Sequence, residues 1–551
     1  MTSVINYLPA KLTNSTLLYA TGLTLLTLPP VTYLVSGLYT SRKRHSKLFS
    51  KHIADESTSE GKHVVRNMQK DYDLIIVGAG VIGSALAGVI AEKDPSRRIC
   101  VIERDLSQPD RIIGELLQPG GLAMLDKLNL QHCSEGIDAS VVKGYGVFLK
   151  GEQLNMHYPE NETGDRPTGR GMHYGRFVTK LRENMKQYPQ VHVVQGSVKK
   201  LLEKDGVTYG ATYKDADTQE IKTVTASLTV VANGAGSGFT KAVSGTKPLS
   251  RSTFVGLRLN GGNAVLPYPN HGNVFMMHPG PVIAYPTSSQ DVRVLIDFPN
   301  GTMPPMPQMA TYLRDKIAPQ FPDDIIRNAF LDAVNEGDIR SVPNREMPAE
   351  RSRKPGVLLL GDALTTRHPL TGSGMTAGLT DVYHITNALQ GADYEDYESI
   401  QRRLDVWWKN RNSSMATINI LANALYAVFT PAATPDPYVG LLQDAVFSYF
   451  KTGGVCVSGP VGLLGGLIKN PYILASHYFA VAFFTVREAC RPLPTPWSFY
   501  ASYRAIKCAV GIVFPLMAEE RILRPLIPTG FFNRDEMRYG TKALNKLSRS
   551  S

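Results

Sequence analysis

The stretch DYDLIIVGAGVIGSALAGVIAEKDPSRRICVIERD, residues 71–105, constrains this chain more than any other. Leu74 to Val77 form a short apolar run suited to a parallel strand covered on both faces. Gly78, Gly80 and Gly83 follow as G-x-G-x-x-G at the opening of a helix. The first glycine permits a tight turn, the second lets a pyrophosphate approach the backbone, and the third allows close helix–strand packing. The helix N-terminus then offers N–H groups and partial positive charge to phosphates. A second strand, Ile99 to Ile102, ends on Glu103, where a carboxylate bonds ribose hydroxyls. Strand, helix, strand and terminal acid in succession identify a dinucleotide-binding unit. The acid disfavours a 2′-phosphorylated nucleotide and leaves NAD and FAD both open.

A second acid stands at a strand end in PGVLLLGDALTTRHPLTGSGMTAGL, residues 355–379. Val357 to Leu360 read as another core strand, which puts Asp362 at the ligand-bearing edge of the sheet. There it accepts a sugar-like hydroxyl of a cofactor, or, on the competing reading, caps the next helix. Gly372 and Gly374 permit backbone to approach a planar ring, and Met375 opens a helix whose N–H groups can face a ring carbonyl. Between the two motifs, Arg111 either faces a diphosphate or pairs with Glu115. A helix starts near Gly120, and another carries Arg176 near its beginning. Short strands through 191–232 and 251–298 suggest a sheet-rich insertion over a substrate cavity, with SLTVVANGAG and VRVLIDFP the clearest. Residues 300–345 are Pro-rich and then partly helical.

The ends have a different texture. Thr13 to Thr40 carry no charge and are followed by SRKRHSK, long enough to cross hydrocarbon with a flank that favours the cytosol. Pro29 and Pro30 kink the segment or make it re-entrant; a cleaved signal peptide is the competing reading. Beyond about residue 410, apolar runs such as YILASHYFAVAFFTV and CAVGIVFPLM suit buried core helices or a helical part dipping into one leaflet. The formal charge of +11 comes without zinc-finger spacing, an RNP-like strand or a basic-region helix, which argues against nucleic acid and for an anionic membrane surface. The cysteines (Cys100, Cys133, Cys456, Cys490, Cys508) lack CxxC spacing and indicate a reducing, cytosol-facing catalytic part; no metal motif is visible.

Five pieces, VGAGVIGSALA, VIERDLSQPDRIIGELLQPGG, GYGVFL, YGRFVTKLR and LLLGDALTTRHPLTGSGMT, resemble the squalene monooxygenase (squalene epoxidase) family from about Asp71 onward. These are flavoprotein monooxygenases sharing the para-hydroxybenzoate hydroxylase fold. HPLTGSGMT and ERDLSQPDRIIGELLQPGG are specific to the family, whereas G-x-G-x-x-G is widespread. The resemblance implies an α/β fold: an FAD-binding Rossmann-like domain with a β-rich substrate domain inserted, plus a C-terminal helical membrane-associated region. The expected divisions are a membrane segment at 1–47, a linker at 48–70, and FAD-binding parts at 71–140 and 346–410. A mixed region at 141–345 holds the substrate domain and an FAD-contacting segment, and apolar helices occupy 411–551.

Carried over by position, the resemblance implies FAD contacts at Val81, Ile82, Glu103, Arg104, Arg111, Leu116, Arg176, His192, Asp362 and Met375. They join the glycines Gly78, Gly80, Gly83, Gly372 and Gly374. Tyr145 corresponds to the family's active-site tyrosine, held near the flavin by a network that includes Gln118. The implied reaction is epoxidation of squalene by O2 to (S)-2,3-epoxysqualene through a flavin C4a-hydroperoxide, within sterol biosynthesis. Electrons would come from NADPH–cytochrome P450 reductase, at an endoplasmic reticulum membrane with the catalytic part facing the cytosol. Such chemistry needs no side-chain base, so Arg367 and His368 read as loop-shaping groups. Two positions depart from the usual pattern: Asn233 replaces an Asp, and Ser373 replaces a Gly. The competing functions are hydroxylation of another apolar or aromatic substrate, and a non-catalytic flavin- or lipid-binding membrane protein.

Overall fold

The computed structural model describes residues 68–299, 301–352, 354–430, 438–491 and 493–520. The expected N-terminal membrane segment and nearly all of the linker lie outside them. Five parallel strands form the first sheet in the order Val191–Lys204, Ile99–Glu103, Tyr72–Val77, Ile221–Val231, Val357–Leu359. Leu74, Ile75 and Ile76 are fully buried, as a strand covered on both faces requires. The long ends of Val191–Lys204, at one edge, and of the inner strand Ile221–Val231 are bridged antiparallel by Val207–Asp215. The helix Val81–Lys93 is buried on nearly every side because it lies between this sheet and the helices Tyr174–Lys186 and Gly374–Leu389.

One expectation is corrected here. Ser227–Val231 of SLTVVANGAG belongs to the middle of the nucleotide-binding sheet, pairing in parallel with both Tyr72–Val77 and Val357–Leu359, and not to the insertion. Leu228, Thr229, Val230 and Val231 are all buried, so the run lacks the in–out alternation of a one-sided sheet and fits a central strand instead.

The second sheet has seven strands in the order Arg340–Glu346, Leu249–Asn260, Asp291–Pro299, Val282–Pro286, Gly272–Phe275, Gly144–Leu149, Glu152–His157. All neighbours are antiparallel except Gly272–Phe275 against Gly144–Leu149. On one face Val255, Leu257, Val294 and Ile296 pack on helices through Met309, Ile326 and Phe330. The other face, through Phe254, Ile283, Tyr285 and Leu295, meets the C-terminal helices at Tyr426, Phe429 and Phe447.

Those helices are Tyr397–Phe429, Val439–Lys451, Val455–Leu464, Pro471–Ala489 and Pro496–Glu519. The first crosses the expected boundary at 410. Ile400, Leu404 and Trp407 join the core of the nucleotide-binding layer, whereas Ile420, Ala424 and Tyr426 join the helical layer. A single 33-residue helix therefore belongs to both. Among the described residues, Pro496–Ala518 is the one helix long and apolar enough to cross a membrane.

Candidate active site

A cavity of about 1080 Å³ runs between the two sheets. Its nucleotide end is built by the first glycine turn. Gly78 has φ +106°, and a Cβ there would stand 2.8 Å from Asn233 Cα. A Cβ on Gly83 would run into the Gly78 carbonyl oxygen, so Gly83 serves helix–strand packing and does not line the cavity. Glu103, at its strand end, accepts the Ala79 N–H at 2.7 Å through one oxygen and lines the cavity. Turn and acid are thus fixed to each other, in the arrangement a ribose–pyrophosphate unit needs.

Gly78, Gly80, Val81, Ile82, Glu103, Arg104, Arg111, Leu116, Asp362, Gly372, Gly374 and Met375 all line this one cavity. The two distant motifs, G-x-G-x-x-G and GDALTTRHPLTGSGM, therefore meet in one space. Arg111 lies over the Tyr174 ring at 5.1 Å. The alternative pairing with Glu115 does not form, because the buried Glu115 carboxylate takes Arg293 at 2.7 and 3.2 Å. Asp362 sits in a short turn, Gly361–Ala363, well before the helix that begins at Gly374, and makes no cap. Its side chain is exposed to the cavity, with protein on the sides that do not face it. Desolvation raises its pKa, and the charges of Arg367 and Arg111 oppose that rise.

Two expected contacts are placed elsewhere. Arg176 points to the outer surface, donating to the Ile137 carbonyl at 3.2 Å and to Asp138 at 3.3 Å. His192 is exposed, with Nδ1 3.0 Å from the Tyr72 hydroxyl. The same two elements reach the cavity at other positions: Arg182 from the helix, and Gly196 to Lys199 from the strand. Arg182 was missed from the sequence. Its guanidinium donates to Ala79 O at 2.8 Å, Ser107 O at 2.9 Å and Asp105 O at 3.1 Å, tying the glycine turn to the loop after Glu103. The available signal was its place beside the buried stripe Phe177, Val178, Leu181 and Met185, where an arginine must have partners.

Tyr145 and Gln118 lie behind the cavity wall. The Tyr145 hydroxyl donates to Gln118 Oε1 at 2.8 Å, and Gln118 Nε2 donates to the Thr371 carbonyl at 2.9 Å. Gly372 separates this pair from the cavity: a Cβ on it would stand 3.3 Å from Gln118 Nε2. Burial pushes the Tyr145 phenol up to about 12, against the opposing pull of its hydrogen bonds with Tyr158 and Gln118. At neutral pH it is a proton-bearing donor. Ser373 Oγ lies 2.9 Å from Thr371 Oγ1, so its added side chain is absorbed within the loop. Asn233 lines the cavity where the family usually has an acid.

Arg367 lines the cavity, while His368 turns away from it. His368 stacks on Tyr426 with ring centroids 3.7 Å apart, and its Nε2 is 2.9 Å from Ser252 Oγ. Asp297, fully buried, accepts from Asn344 at 3.1 Å and from the Tyr426 hydroxyl at 3.1 Å. The HPLTG loop, the second sheet and the long helix are thereby joined. Asp297 was legible in principle, as the one acid inside VRVLIDFP, a run apolar apart from it and Arg293. The second sheet gives the cavity the apolar Ile283, Leu295 and Val342 with Tyr285, and its edge strand adds Asn344 and Arg345, whose guanidinium donates to the Ala235 carbonyl at 2.9 Å.

A family model described as squalene epoxidase matches residues 225–500 of the chain. Squalene epoxidase 3 of Arabidopsis thaliana is 43% identical over 83% of this chain and 86% of its own length. The squalene monooxygenase of Mus musculus is 37% identical, covering 84% of this chain and 80% of its own. Squalene epoxidase erg1 of Schizosaccharomyces pombe is 36% identical over 76% of this chain and 91% of its own. Among solved structures, a variant of Klebsiella pneumoniae HpxO complexed with FAD superposes with a TM-score of 0.53 at 16% identity, covering 73% of this chain and 100% of that one. The myxobacterial FAD-dependent halogenase CndH gives 0.54 at 18% identity over 75% of this chain and 97% of its own. At those identities the structural likeness speaks to the fold.

Proposed function

The chain belongs to the squalene epoxidase family, and from that premise we propose how its residues carry out FAD-dependent epoxidation of squalene by O2. The observation that carries the reading is the single cavity itself, with a dinucleotide cradle at one end and Ile283, Tyr285, Leu295 and Val342 from the second sheet at the other. The cradle fits FAD: positive-φ Gly78 at a helix start, Glu103 at a strand end, and Asp362 exposed to the same cavity. Bound FAD supplies the activation of O2 and the transfer of one oxygen atom to the alkene. Glu103, and Arg182 through the turn it ties, would hold the nucleotide end, and Asp362 would accept a hydroxyl of the linker.

Squalene offers no charge and no acidic proton, so side-chain acid–base catalysis has little to act on. The protein's tasks are to exclude water and to orient one end of a long hydrocarbon. Gln118, fixed to Thr371, holds the Tyr145 hydroxyl, and Tyr145 orients and polarises without giving its proton to substrate.

At about 0.8 kcal/mol per buried CH2, a thirty-carbon hydrocarbon partitions overwhelmingly into lipid. The exposed aromatics of the last helices support a seat in the membrane, and we assign the enzyme to the cytosolic face of the endoplasmic reticulum. Electrons arrive from a separate NADPH–cytochrome P450 reductase, whose acidic surface would suit this basic chain. The test is reconstitution. Protein purified in detergent should show flavin absorbance and, given squalene, NADPH and reductase, yield a product one oxygen atom heavier. Bound flavin and active reductase without that product would overturn the reading.

A further inference from the structure

Gln118 Oε1 accepts two phenol protons, from Tyr145 at 2.8 Å and from Tyr158 at 2.7 Å. A carboxamide oxygen has two lone pairs, and both are used. With its nitrogen committed to Thr371 O, the amide is locked: a half-turn would set its oxygen against that carbonyl. Tyr158 is 1% exposed and meets Tyr145 edge-on, with ring centroids 5.6 Å apart.

What confines Tyr158 comes from the helical layer, some three hundred positions along the chain. A Cβ on Gly465 would stand 3.2 Å from the Tyr158 ring. Gly465 and Gly466 form the turn that ends the helix Val455–Leu464. The Gly465 carbonyl accepts the N–H of Gly120 at 2.8 Å, two residues after Gln118. That N–H is one of the donors a helix start leaves without an internal partner. A Cβ on Gly120 would stand 2.5 Å from Gly466 O, so the two backbones touch with no space for a side chain. The turn therefore grips the Gln118 amide from both sides, through the backbone of its own helix and through the second tyrosine.

We infer that Tyr158 is a positioning residue for the epoxidation, and that the Gly465–Gly466 turn sets the Gln118–Tyr145 geometry through it. The C-terminal helices thereby govern the alignment of the active site. The inference rests on the Tyr145–Gln118 reading above.

A double-mutant cycle on full-length, FAD-loaded protein in detergent tests it, with Tyr145→Phe, Tyr158→Phe and the pair. Each form is assayed for kcat, KM for squalene, hydrogen peroxide formed per NADPH, flavin content and thermal midpoint. Either single change should lower kcat about tenfold, leave KM within about twofold and raise peroxide yield, with flavin retained. The double variant should be no slower than Tyr145→Phe alone, because both act through one amide. Gly465→Ala should give the same phenotype and likewise fail to add to Tyr158→Phe. Multiplying losses, an unchanged kcat in Tyr158→Phe, or loss of flavin from that variant would each overturn the inference. A fully active Tyr145→Phe would instead remove the underlying site reading, so the two failures are distinguishable.

Discussion

Arg182 replaces with one side chain what would otherwise take several separate contacts. Its three hydrogen bonds end on the carbonyls of Ala79, Asp105 and Ser107, two of them on the loop after Glu103 and one inside the glycine turn. At about 1.5–3 kcal/mol for each hydrogen bond to a charged group, losing all three outweighs most single substitutions. Arg182→Ala is therefore expected to release flavin during gel filtration and to lower the thermal midpoint. Arg182→Lys should fall between, since an ammonium cannot span three acceptors as a planar guanidinium does. Flavin retained at full stoichiometry by Arg182→Ala would refute this role. The same helix shows where legibility ends at this scale. The motif YGRFVTKLR draws attention to Arg176 because it stands nearest the start, yet the helix turns that residue toward Asp138 and brings Arg182 inward. Telling the two apart needs the phase of the helix against its sheet, which sequence spacing carries only through the neighbouring apolar stripe. Tyr158 is harder still, since nothing in NMHYP reveals a partner forty residues earlier.

At the scale of elements, strands flanked by glycine turns were legible because two-sided burial leaves a nearly unbroken apolar run. Tyr72–Val77, Ile99–Glu103 and Val357–Leu359 fall where the sequence puts them. The assignment of Ser227–Val231 to a sheet was not legible, because an apolar run declares a buried strand without naming its neighbour. The C-terminal helices are similar: their apolar texture is plain, and the polar groups they bury are not. His477 lies within Pro471–Ala489, its Nδ1 2.7 Å from the Tyr449 hydroxyl. Desolvation lowers its pKa from 6.5 to about 4. The unfolded chain therefore takes up this proton first on acidification. The stabilisation is fully present above about 6.5 and drains away as pH falls toward about 4. Its size is roughly 3 kcal/mol. His157, His271 and His384 are lowered too and act with the same sign, so the comparison must isolate one side chain. Thermal midpoints in detergent between pH 7 and pH 4 should fall less steeply for His477→Gln than for the parent. Parallel curves would show that His477 does not carry the acid sensitivity.

For the whole molecule, the placing of its tryptophans turns a question about membranes into a spectroscopic one. The chain has three. Trp407 and Trp408 are 1% and 8% exposed within the nucleotide-binding layer, whereas Trp497 is 71% exposed at the start of the last helix. Around it Leu493, Phe499 and Tyr503 are exposed at 74%, 66% and 56%, with Tyr472 and Phe479 bare on the preceding helix. A soluble surface seldom gathers so many large apolar side chains in one region, and aromatics of this kind settle at the level of lipid headgroups. Arg487 and Lys507 stand exposed on the same two helices and suit anionic lipid. In vesicles with brominated acyl chains, quenching of tryptophan emission should be confined to the Trp497 fraction. Trp497→Phe should abolish it and leave the emission of the other two unchanged. This reading needs no truncation of the N-terminal segment, which has no tryptophan of its own. Quenching that persists in Trp497→Phe would place the membrane against a different face, and the cavity mouth would have to be sought there.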